Sequence, residues 1–125
     1  MNQQRVYVVD GARTPFLKAR GSLGDFSATD LAVAAARPVL ARMPFEPTAF
    51  DEVIVGCVIA APDEANIARF IALRLGCGKR VPAYTVQRNC ASGLQAISNA
   101  RERIALGQAH LILAGGTEVM SRAPI

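Results

Sequence analysis

The residue whose type and setting best fit chemistry is Cys90. A strand-like run, Tyr84-Thr85-Val86, precedes it, and a helix-like run follows to about Leu106, so the thiol falls where a strand ends and a helix begins. The first N–H groups of a helix have no intrahelical partners, and the helix dipole adds partial positive charge there. A cysteine so placed loses its proton more readily than a free one, and the thiolate is the nucleophilic form. The same N–H groups are placed to receive an oxyanion. On pattern alone two readings of Cys90 stand: a nucleophile or a buried structural thiol.

A nucleophilic cysteine needs a base, and the sequence holds one histidine, His110. The intervening helix of about 16 residues carries the chain roughly 24 Å away at 1.5 Å per residue. His110 opens the returning strand at the far end of that helix, so it reads as a surface or strand-edge residue. Glu118, in Gly115-Gly116-Thr117-Glu118, lies on the same edge as Cys90 and reads either as a base or as an ordinary loop acid. Arg13 and Lys18 sit in a long loop, where an arginine holds a carboxylate or phosphate, or else pins its own loop. Cys57, among aliphatic neighbours, reads as filler, and Cys77, between Gly76 and Gly78, as a bystander in a turn. The cysteines are too widely spaced, and too poor in partner histidines, for structural zinc. Neither Gly76-Cys77-Gly78 nor Gly115-Gly116 forms a dinucleotide fingerprint or a P-loop.

The elements that must position these groups follow from the order of patterns. Val6-Tyr7-Val8-Val9 reads as a strand buried on both faces, followed by a loop to Asp25. Ser27 and Asp30 have the spacing of a capping box, which predicts a helix over 28–43. Pro38 should kink or end it, because an interior proline costs about 3 kcal/mol. A second strand is expected over 52–58. A second helix over 65–75 would have Ile67, Phe70, Ile71 and Leu75 on one face and stop at Gly76. A strand over 83–86, the helix after Cys90 and a strand over 111–114 complete the series. The third helix is rich in small residues, including Ala91, Ser92, Gly93, Ala96, Ser98 and Ala100. Gly93 costs about 1 kcal/mol in helix propensity, which points to a close contact there. The β-α-β-α-β-α-β order predicts an α/β fold, a mostly parallel sheet with helices on both faces and right-handed crossovers. Ligands gather at the carboxyl ends of such strands, the edge that carries Cys90, the 115–118 loop and the 10–20 segment.

At 125 residues and 51% hydrophobic content, the chain has material for one core. Its net charge of +4 is spread along the sequence without a basic stripe interleaved with aromatics, which argues against nucleic acid. A mild positive field suits a phosphate-bearing small molecule equally well. An odd number of cysteines and no visible signal peptide predict free thiols and a cytoplasmic, reducing compartment. The longest apolar run, 53–61, is far shorter than the roughly 20 residues of a membrane span, so a soluble protein is expected.

Gln87-Arg88-Asn89-Cys90-Ala91-Ser92-Gly93-Leu94-Gln95-Ala96 resembles the acyl-enzyme cysteine motif of the thiolase family (acetyl-CoA acetyltransferases and 3-ketoacyl-CoA thiolases). Arg13-Thr14-Pro15-Phe16, Asn66-Ile67-Ala68-Arg69 and Gly115-Gly116-Thr117-Glu118-Val119-Met120-Ser121 resemble the same family in order and spacing. The resemblance covers nearly the whole chain. It implies acyl transfer between coenzyme A thioesters, with Cys90 attacking the keto carbonyl of a 3-ketoacyl-CoA, releasing acetyl-CoA and holding the acyl group. A second coenzyme A then takes that group, and the reverse direction is Claisen condensation. The N–H of Cys90 would supply part of an oxyanion hole, often worth about 3 kcal/mol per donor. The resemblance implies no metal or redox cofactor, a homo-oligomer and, in some members, a multienzyme β-oxidation partner. It also implies that these residues correspond to the first part of the N-terminal domain. The activating histidine and second cysteine of thiolases lie in a C-terminal half outside this sequence, so the chain alone is expected to be inactive. The rival reading, of a different class, is a noncatalytic α/β fragment serving as an assembly or interaction module.

Overall fold

The computed structural model describes residues 3–19 and 24–123. Three strands, β1 (Glu52–Gly56), β2 (Ala83–Val86) and β3 (Ile112–Gly116), form a parallel sheet in the order β2-β1-β3. β1 is paired on both edges and covered on both faces, so all five of its residues are buried. Its aliphatic run alternates between two cores, as the period of a strand requires. Val53 and Val55 pack with Val33 of α1 (Ala28–Arg42) and with Ile67 and Ile71 of α2 (Ile67–Arg74). Ile54 points the other way, onto Ala96 and Ala100 of α3 (Ser92–Ala105), with Tyr84, Val86, Ile112 and Ala114 around it. Helices thus cover both faces of a parallel sheet, the expected α/β architecture.

The capping box forms as its spacing predicts. Ser27 Oγ accepts from the Asp30 N–H at 3.0 Å, and the Asp30 carboxylate accepts from the Ser27 N–H at 2.8 Å. Pro38 does not end α1, which runs on to Arg42. Both Pro38 and Ala34, four residues earlier, lie on the exposed side, so water can reach the carbonyl that the proline leaves unpaired. α2 buries Ile67, Ala68, Ile71 and Ala72, whereas Phe70 is 43% exposed, contrary to its expected place on the apolar face. At about 100° per residue, Phe70 stands roughly 130° round the helix from the centre of that stripe. Gly76 then turns the chain with φ of +83°, as expected of a helix stop.

Three strand expectations need correction. β1 ends at Gly56, two residues earlier than predicted, because the Val58 and Ile59 N–H groups go to the Glu118 carboxylate and not to a neighbouring strand. β3 begins one residue later than predicted and extends through Gly115 and Gly116, because both pair with β1. The run Val6-Tyr7-Val8-Val9 is not a buried strand: Tyr7, Val8 and Val9 are 71%, 88% and 72% exposed, and the segment joins no sheet among the described residues. An apolar, β-branched run can adopt an extended form, but it becomes a strand only where another strand offers N–H and C=O partners. This segment is instead tied at two points. The Gln4 N–H donates to Ala105 O at 3.1 Å, and Asp10 pairs with Arg42 at 2.8 Å. Among the described residues, no helix is long and apolar enough to cross a membrane.

Candidate functional site: the turn between β2 and α3

α3 starts almost in contact with the backbone of the sheet. A Cβ on Gly56, the last residue of β1, would fall inside the main chain of Ser92. One on Gly116, at the end of β3, would lie 2.9 Å from Gly93 Cα, whereas one on Gly93 would meet only Gly116 Cα at 3.6 Å. The close contact expected at Gly93 therefore exists, but the crowding falls on the two strand-end glycines. Gly56 was the missed partner, hidden inside a strand pattern.

This approach brings the chain out of β2 through a tight turn. Asn89 takes φ of +47°, a left-handed conformation that asparagine tolerates better than most residues. Ser92 locks the turn: its hydroxyl accepts from the Arg88 N–H at 2.8 Å and donates to Asn89 O at 2.7 Å. The Ala91 and Ser92 N–H groups donate to Arg88 O and Asn89 O. Among the described residues, no acceptor takes the N–H of Cys90, Gly93 or Leu94. These are the unpartnered donors foreseen at a helix start.

The three thiols differ sharply in environment. Cys90 is exposed, whereas Cys57 and Cys77 are 4% and 1% exposed. Burial pushes the Cys57 thiol up to about 12, with the negative charge of Glu118 adding to the effect. Burial alone raises Cys77. Both buried thiols therefore stay protonated near neutrality, as befits core filler.

Cys90 opens onto a cavity of about 1220 Å³. Its walls come from the ends of β1 and β3, the start of α3, the 116–121 segment, part of α1 and the 12–19 loop, so the sheet edge picked out from topology is the concave one. Arg13 and Lys18 both line it. Arg13 donates to Thr14 O at 3.2 Å and lies 5.3 Å from the centre of the Phe16 ring, so it braces its own loop.

No base stands beside Cys90 among the described residues. Glu118 has both carboxylate oxygens engaged, one by the Val58 N–H at 2.9 Å and the other by the Ile59 N–H at 3.0 Å and the Cys57 thiol at 3.5 Å. It behaves as a loop acid. His110 precedes β3, at the edge of the sheet opposite Cys90; its side chain is exposed, and its N–H donates to Asp51 at 2.7 Å. That bond, together with one from the Leu111 N–H, holds the Asp51 carboxyl below its usual range. No group of His, Cys, Asp and Glu among the described residues could hold a metal ion.

Comparison with known proteins agrees with this geometry. A family model described as "Thiolase, N-terminal domain" matches residues 6–125. The mitochondrial 3-ketoacyl-CoA thiolase of Homo sapiens is 43% identical over 120 residues, which cover 95% of this chain and 30% of that protein. The beta-ketoadipyl-CoA thiolase of Acinetobacter baylyi is 44% identical over 123 residues, covering 97% and 31%. Among solved structures, a thiolase from Ascaris suum in complex with coenzyme A superimposes with a TM-score of 0.87 at 32% identity, covering 94% of this chain and 31% of that one. The chain spans about 30% of the length of these relatives. Family model, sequence identity and superposition all lead to one conclusion: the chain belongs to the thiolase family, matching its N-terminal domain.

Proposed function

We propose that Cys90 is the residue that carries an acyl group in transfer between coenzyme A thioesters. In the cleavage direction its thiolate adds to the C3 carbonyl of a 3-ketoacyl-CoA, and the C2–C3 bond breaks. Acetyl-CoA leaves as an enolate that takes up a proton, and the acyl group stays on sulfur as a thioester. The thiolate of a second coenzyme A then displaces Cys90 and departs as acyl-CoA. Condensation of acetyl-CoA is the same path reversed. The unpartnered N–H groups of Cys90, Gly93 and Leu94 are available to an oxyanion.

The observation that carries this reading is the contrast among the thiols: one exposed at a helix start beside a cavity, two sealed in the core. The free thiols also support a reducing, cytoplasmic setting. With Glu118 engaged and His110 remote, the base that activates Cys90 and the second acid–base group come from outside these residues. Exposed Leu94 and Ile97 on α3 favour assembly with further protein, including a homo-oligomer.

The test is incubation of the purified chain with acetyl-CoA at mildly alkaline pH, followed by peptide mapping. An acetyl group on Cys90, absent from Cys57 and Cys77 and lost in Cys90→Ala, is the expected result. Equal modification of the three thiols, or none at Cys90, would overturn the assignment. The same chain is expected to show no measurable thiolysis of acetoacetyl-CoA, and robust turnover would refute the need for an outside base.

A further inference from the structure

Residues 116–118 fasten three parts of the molecule at once. The Thr117 N–H donates to Gly56 O at 3.0 Å, and its hydroxyl donates to Ala28 O at 2.7 Å. Glu118 then reaches the loop that leaves β1, where two consecutive N–H groups, of Val58 and Ile59, and the Cys57 thiol converge on one carboxylate. Beyond the end of β1 these N–H groups have no strand to pair with, so the side chain takes over the role of a neighbouring strand. Bonds to an ionised acceptor are stronger than neutral ones. Val58 and Ile59 line the same cavity as Cys90.

We propose that Glu118 is a positioning residue for the Cys90 site: its carboxylate fixes the 57–59 loop as the wall against which an acyl group on Cys90 rests. This deepens the acyl-carrier reading and rests on it. Glu118 acts through Val58 and Ile59 and takes no part in bond making. A glutamine at 118 keeps one oxygen acceptor but turns an NH₂ toward a donor, and an alanine strands both N–H groups. The effect should therefore be graded, with glutamine intermediate.

The experiment uses the 125-residue chain as wild type, Glu118→Gln, Glu118→Ala and Asp51→Asn. Asp51→Asn weakens a comparable pair of N–H bonds, from His110 and Leu111, at the opposite end of the sheet and outside the cavity, and so controls for lost stability. Two quantities are read by peptide mapping: maleimide labelling of Cys57, and the ratio of acetyl to octanoyl transfer onto Cys90 from the two acyl-CoAs. Loss of a bond to a charged acceptor predicts Cys57 labelling about tenfold faster in Glu118→Gln. The acyl ratio should move in the same variant and further in Glu118→Ala, while Asp51→Asn keeps the wild-type ratio. If the alanine variant does not fold, the glutamine variant decides. A ratio unchanged in the Glu118 variants, or moved equally by Asp51→Asn, overturns the positioning role. A wild-type chain that accepts neither acyl group at Cys90 instead defeats the acyl-carrier reading, and this inference with it.

Discussion

At the scale of the residue, position matters more than reactivity. Gly56, Gly93 and Gly116 are all small, but they are not equivalent. A methyl group at Gly56 meets the main chain of Ser92, which cannot give way without moving the helix. Gly56→Ala is therefore expected to lower stability by roughly 3 kcal/mol, the upper end for overpacking, as measured by urea denaturation. Gly93→Ala meets only an ordinary contact and gains helix propensity, so it should be neutral or stabilising by up to about 1 kcal/mol. A loss from Gly93→Ala matching that from Gly56→Ala would mean that the crowding at this junction does not fall on the strand end. The turn at Cys90 and the close contact at Gly93 were legible in the sequence because each leaves a local mark, a strand-to-helix switch and an unfavourable helix residue. Gly56 and the partners of Glu118 left none. The latter lie 59 to 61 residues away, and only the folded sheet brings them together.

At the scale of the element, α1 carries the clearest local encoding. Its capping box predicts that Ser27→Ala costs about 1 kcal/mol, measurable as a lower urea midpoint. The Ser27 N–H and hydroxyl and the Arg74 guanidinium together hold the Asp30 carboxyl down from 3.8 to about 2. Since the folded state favours the ionised form, its contribution is fully present above the unfolded value of 3.8 and is lost as pH falls through about 2. Asp30→Asn should therefore flatten the decline in stability between pH 4 and pH 2, and an unchanged decline would rule out this source. β1, β2, α1, α2, α3 and β3 were all foreseeable from local apolar patterns, although Gly115 and Gly116, beyond the predicted end of β3, pair within it. Val6-Tyr7-Val8-Val9 has the same kind of apolar pattern and forms no strand. Composition makes a segment fit for a sheet, but pairing depends on a neighbouring edge that a local pattern does not specify.

At the scale of the whole molecule, the described surface is unusually apolar in places. Tyr7, Val8, Val9, Phe16, Leu17 and Leu94 are all largely exposed, and β2 and β3 each have a partner on one side only. Open strand edges and uncovered apolar side chains favour self-association. Sedimentation velocity over a range of concentrations should show species heavier than one 13.3 kDa chain, and a single light boundary throughout would refute this. Where α3 begins, at Ser92 and Gly93, main chain meets the main chain of Gly56 and Gly116 with no side chain in between. Bulk elsewhere in the interior could thus be exchanged, valine for isoleucine or leucine for methionine, while the sulfur keeps its station. To an engineer the Cys90 turn is portable together with its three bare contacts, and adrift without them.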